Sequence, residues 1–176
     1  MSQTGILPFY ALLYSGQGLI LGWLMFTNDT VNSNDLEGVV SWNKPGQAPG
    51  TKIYTNGFAF GLTNGIEVPG SYWTNRTPLL NWSNGVVFLS NAIPAESISN
   101  PVTLSPDGKV ADQALTNELT LTITTASGLF KGSVTETNGA KQTIKFGGAI
   151  HQKSNAGYGL FIGTNQTGGV FLGRLH

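Results

Sequence analysis

The sequence predicts an all-β protein: an antiparallel β-barrel of about ten to twelve strands built from repeated hairpins, with a β-sandwich as the alternative. Three observations predict it. Apolar and polar residues alternate with a period of two, so Leu119, Leu121 and Ile123 point one way and Thr120, Thr122 and Thr124 the other. Phe130, Gly132 and Val134 alternate likewise with Lys131, Ser133 and Thr135, and Ile144 and Phe146 with Thr143 and Lys145. Such a pattern marks antiparallel strands with one wet face. The second observation is punctuation by the hairpin-type pairs Asn56-Gly57, Asn64-Gly65, Asn84-Gly85, Asp107-Gly108 and Asn138-Gly139. The third is composition. Only 10% of residues are charged and 24 of 176 are Gly, so polar positions fall to Asn, Thr and Ser, which suit strands and turns better than helices.

In order, the pattern places strands at 8–14, 18–27, 36–43, 51–61, 79–83, 85–90, 101–104, 109–112, 117–124, 128–136, 141–151, 157–163 and 168–175, the shortest of which need not all form. The run from Ile6 to Phe26 is apolar enough for a signal peptide or a membrane span. The first basic residue of the sequence, however, comes only at Lys44, so a positive n-region is missing. Ser15-Gly16-Gln17-Gly18 also interrupts the run where a spanning helix is continuous. The stretch is therefore read as a hairpin, without membrane insertion, and any export signal is expected outside this sequence. Mid-strand Gly22, Gly38, Gly132 and Gly148 are expected at bends or close packing.

Two internal echoes suggest how the hairpins repeat. Tyr10-Ala-Leu-Leu, Gly18 and Leu21-Gly22-Trp23-Leu24 resemble Tyr158-Gly-Leu-Phe, Gly169 and Leu172-Gly173-Arg174-Leu175. Leu36-Glu-Gly38-Val-Val40-Ser41 resembles Phe130-Lys-Gly132-Ser-Val134-Thr135. Like hairpins at the two termini predict that these pair and close the sheet, removing edges that few charges protect.

Composition bounds the function. A chain of 176 residues with 40% apolar side chains has the length of a single domain, 1–176, and can bury a core. Nine basic and nine acidic side chains cancel, which leaves no basic stripe for nucleic acid. Zero cysteines exclude disulfides, thiolate metal sites and cysteine catalysis. Gly16-x-Gly18-x-x-x-Gly22 lies in a strand–turn–strand context with no helix to receive phosphate, so no cofactor is expected.

The strings Gly128-Leu-Phe-Lys-Gly132-Ser-Val, Ile144-Lys-Phe-Gly-Gly148-Ala-Ile-His-Gln152-Lys and Gly157-Tyr-Gly-Leu-Phe161-Ile-Gly163-Thr-Asn-Gln166-Thr-Gly-Gly-Val170 carry a resemblance. They resemble a β-repeat module of large modular secreted or surface proteins of environmental bacteria, often found beside immunoglobulin-like domains. Leu19-Ile-Leu-Gly-Trp23-Leu and Gly38-Val-Val-Ser-Trp42 look like its opening half. The resemblance implies architecture and a secreted or cell-surface location. It implies no activity and no functional residue.

Site candidates then rest on individual residues. Of two histidines, His176 is terminal and His151 reads as a polar strand-end residue, and no Gly-x-Ser-x-Gly elbow accompanies it. Asn28, Asp29, Asn32, Asn34, Asp35 and Glu37 form a loop of oxygen donors that a calcium ion accepts, although Asn and Asp also simply make turns. Asp35, Glu37 or Glu67 offer carboxylates for a hydrolase, yet nothing in the sequence pairs them, so no enzyme is expected. Trp23 and Trp42 lie in strand patterns and are expected in the core. Tyr72, Trp73 and Trp82 lie in the longest stretch without alternation, together with Asn75, Arg76 and Asn81. Rings stack on sugar faces and neutral hydrogen-bonders select hydroxyls, so these six residues form the candidate ligand site, with polysaccharide as the partner. The competing expectation is a loop that plugs a barrel mouth. The leading function is thus a non-catalytic, glycan-binding module of an extracellular bacterial protein; a structural spacer or adhesin repeat is the alternative, and a carboxylate-dependent hydrolase the third.

Overall fold

The computed structural model describes residues 5–31, 33–46, 58–60, 65–90, 97–114, 116–136, 141–162 and 167–174. The strands are β1 (Ile6–Leu13), β2 (Gly18–Asp29), β3 (Asn34–Lys44), β4 (Phe58–Phe60), β5 (Ile66–Glu67), β6 (Asn84–Ser90), β7 (Ile98–Leu104), β8 (Val110–Asp112), β9 (Thr120–Thr124), β10 (Leu129–Glu136), β11 (Gln142–His151), β12 (Ala156–Ile162) and β13 (Thr167–Gly173). The all-β, antiparallel reading is therefore shown. Among the described residues no helix is long and apolar enough to cross a membrane. The chain groups into two compact units, Met1–Tyr72 and Trp73–His176.

The first unit holds a five-stranded sheet in the order β1-β2-β3-β4, with β5 also pairing β3. The run from Ile6 to Phe26 is the expected hairpin, Leu13 pairing Gly18 around a short 3-10 turn at Tyr14–Gly16. One face buries Leu24 and Val40, and at its end the Lys44 ammonium lies 5.7 Å from the centre of the Tyr14 ring. Gly22 and Gly38 belong to this face, where a Cβ would run into the neighbouring strand's backbone. The other face leaves Tyr10, Leu12, Leu21, Trp23, Met25 and Val39 exposed. Trp23 is thus no core residue, and Trp42, on the inner face, is only half-buried.

The second unit is an eight-stranded antiparallel sheet in the order β8-β7-β6-β13-β12-β11-β10-β9. A bridge between Lys109 and Thr122 links its two ends, so the sheet is a nearly closed barrel. Inward residues such as Val87, Leu89, Val134, Phe161 and Leu172 fill it, and the Phe130 and Phe146 rings meet edge to face at 6.4 Å. Closure comes from within this unit. The expected pairing of the terminal hairpins is not made, because β1 and β2 belong to one sheet and β12 and β13 to the other.

Two local expectations also change. Residues 79–83 form no strand, because Leu79, Leu80 and Trp82 all turn into the core. Asn84-Gly85 begins β6 instead of a turn; a Cβ at Gly85 would stand 2.9 Å from the Trp82 ring. Asp107-Gly108 does make a turn, with Gly108 at φ +87°, whereas Asn56-Gly57, Asn138-Gly139 and most of 51–61 lie outside the described residues.

Candidate functional site

The stretch from Trp73 to Ser83 crosses one end of the barrel and is held by three hairpin turns. At the β9–β10 turn the Trp73 indole donates to the Thr125 carbonyl at 3.0 Å. Its ring lies so close to Gly128 that a Cβ there would meet it at 2.6 Å, and Gly128 also sits at φ +73°. Only glycine meets both demands. At the β11–β12 turn, buried Gln152 accepts from the Thr74 N–H at 2.8 Å and donates to the carbonyls of Thr74 at 2.9 Å and Leu79 at 3.3 Å. Next to it Asn155 accepts from the Asn81 N–H through Oδ1 at 2.6 Å and from the Trp82 indole through its carbonyl at 3.0 Å. At the β7–β8 turn Leu79 covers Gly108.

The six expected ligand residues therefore separate. Trp82 is 7% exposed, its indole committed to Asn155, so it presents no ring face for stacking. Trp73 is half-buried against the core. Asn75, Arg76 and Asn81 are exposed, and Asn81 and Trp82 line a concavity of about 400 Å³ with Ser105 and Arg174. Tyr72 closes the first unit: its N–H donates to Asp35 at 2.7 Å and its ring is 73% exposed. Trp73 and Trp82 thus act as covering for the barrel end, the outcome in which rings satisfy a core rather than a ligand.

Charge at this end is local. Asp107 in the β7–β8 turn is drawn from its ordinary 3.8 down to about 2, first by the Ser105 hydroxyl and then by Lys109, whose ammonium stands 2.9 Å away. The folded value lies below the unfolded one, so the contribution is complete above about pH 4 and fades as pH falls toward 2. We expect the Asp107 carboxyl carbon to titrate near pH 2 by NMR, and Lys109→Ala to move that midpoint upward; a midpoint unaffected by the substitution refutes the pairing. Elsewhere, His151 Nδ1 lies 2.9 Å from the Ser154 hydroxyl and accepts from the Ser154 N–H at 3.2 Å. This contact closes a turn. Asp29 likewise accepts from the Val31 N–H at 2.7 Å. Among the described residues no three His, Asp or Glu side chains gather as a metal site requires.

The second concavity belongs to the five-stranded sheet. Antiparallel register sets Pro8, Trp23, Val39 and Glu67 in one row across it, and Ile6, Met25 and Glu37 in the next. Directly paired residues share a face, so these side chains rise from the same surface. All of them but Pro8 line a groove of about 600 Å³, together with Asn34 and Pro69. Trp23 is 65% exposed there. Glu37 and Glu67, which nothing in the sequence paired, become diagonal neighbours, about 7–8 Å apart between Cα atoms by sheet geometry. The signal for this face was in β3: Glu37, Ser41 and Asn43 alternate with Gly38, Val40 and Trp42, and pairing carries that outward parity to Trp23. No protein-family model, no curated protein and no solved structure matches this chain.

Proposed function

We propose that this chain is a non-catalytic binding module of an extracellular bacterial protein, and that it takes a glycan on the outer face of the five-stranded sheet rather than on 69–82. One observation carries the reading: Trp23, 65% exposed in mid-strand, within a groove that Asn34, Glu37 and Glu67 edge with hydrogen-bonding groups. A ring held rigid by a sheet offers a stacking surface at little entropic cost, and polar margins select hydroxyl geometry. Tyr10, diagonal to Trp23 on the same face, extends the surface along a polymer. The carboxylates rise from adjacent strands of an open face, whereas hydrolysis needs them across the scissile bond; this supports binding over catalysis. Affinity is expected to be weak, because a shallow groove buries little ligand.

Trp23→Ala tests it. The substitution is expected to abolish the fluorescence change on titrating soluble polysaccharides while leaving stability within about 0.5 kcal/mol, as for other surface positions. Unchanged binding by that variant, or no response of the parent to any glycan at millimolar concentration, refutes it. The spacer or adhesin reading draws on a different observation: Leu129, Tyr158, Leu160 and Ile162 expose apolar surface on the outer wall of the barrel, a patch suited to packing on another module. Concentration-dependent sedimentation without any glycan response favours that alternative.

A further inference from the structure

We infer that the groove of the five-stranded sheet selects an amine-bearing sugar polymer, one whose hexosamine units carry free ammonium groups, over its neutral counterparts. The inference rests on the glycan reading above and specifies its ligand. Charge is scarce in this chain, with nine acidic side chains in 176 residues, yet the groove holds two of them and its described lining includes no Lys or Arg. Glu37 and Glu67 flank Val39 on one face, Glu67 directly opposite it and Glu37 two residues before it. Neither makes an ion pair among the described residues. An ammonium set between them pairs with both carboxylates and donates up to three hydrogen bonds.

The apolar part of the groove fits the rest of such a ligand. Trp23 lies in the same row as Glu67, two strands away, with Val39 between them. At about 4.8 Å per strand this is about 10 Å, the span of a sugar stacked on the indole with a neighbouring unit's nitrogen over the carboxylates. The negative face of the indole also favours a cation. A neutral polymer keeps the stacking and loses the charge pairing. Lysine side chains share the ammonium but lack a rigid ring for Trp23, so a sugar polymer is the source we assign.

The test uses the full chain, with tryptophan fluorescence and calorimetry against a β-1,4-linked glucosamine hexamer, its fully N-acetylated form and hexalysine. The glucosamine hexamer is expected to bind at least about ten-fold more tightly than the acetylated one, with an advantage that shrinks as salt is raised. Glu37→Gln with Glu67→Gln is expected to bring the two sugars within about two-fold of each other and to leave the acetylated form's affinity unchanged; circular dichroism and melting verify the fold. Equal binding of both sugars by the parent overturns this inference and leaves the glycan reading standing. A preference that survives the double substitution overturns it as well, as does hexalysine binding as tightly as the amino sugar. If neither sugar binds, the glycan reading fails with it.

Discussion

Trp82→Ala is expected to destabilise the protein by about 3–5 kcal/mol, the cost of emptying a large aromatic site in a core. At roughly 2–4 °C per kcal/mol for a chain of this length, the melting temperature falls by about 6–20 °C. The size of the effect follows from position. The ring is 7% exposed within the cluster that includes Leu80, Val87 and Leu104, and Gly85 has no side chain with which to fill the void. The lost indole donor also strips the Asn155 carbonyl of its partner. Trp82→Phe, which keeps most of the volume, is expected to lose less than half as much. Equal melting temperatures for parent and Trp82→Ala show that the ring covers nothing, and return it to the list of ligand-facing residues.

Gln152→Leu comes second, at about 2–4 kcal/mol, because a side chain of similar size replaces hydrogen bonds with none. Thr74 loses partners for both its N–H and its carbonyl, and the buried Leu79 carbonyl loses its donor. The loss should be local before it is global. Amide exchange at Thr74 and at Asn81, whose N–H is held by the same turn, is expected to quicken well before strand amides such as those of β12. Protection that survives at Thr74 shows that the covering stretch is held by its apolar contacts alone.

The two substitutions mark where the sequence was legible. Strands β9 to β11 were readable because each alternates polar with apolar residues along most of its length, so Thr120, Thr122 and Thr124 announce an outside and Leu121 and Ile123 an inside. Gln152, which holds the barrel end, carried no signal. A buried amide is recognisable only by partners that lie 73 and 78 residues away. Trp82 lacked one for the same reason: an indole in an irregular stretch looks alike whether a ligand or Asn155 receives it. Trp23 was misjudged because β2 is apolar on both faces, Leu21 and Met25 on one and Ile20 and Leu24 on the other, so a period of two cannot say which is wet.

Local chemistry therefore determined the class of this protein: alternation, β-branched Thr and turn-forming Gly and Asn commit a chain to antiparallel strands wherever it folds. Those preferences act over two to four residues. Which hairpin pairs with which is decided over longer separations, by core packing and by register. The likeness of the terminal hairpins thus described two similar local structures and said nothing of their meeting; β13 instead pairs β6, placing Leu172 beside Val87 and Val170 beside Leu89 in the core. The groove has the same origin. Glu37 and Glu67 are thirty residues apart in the chain and become neighbours because β5 returns to β3, an encounter that only the folded sheet can arrange, since a strand's own sequence records which way its side chains point but not what the next strand brings beside them.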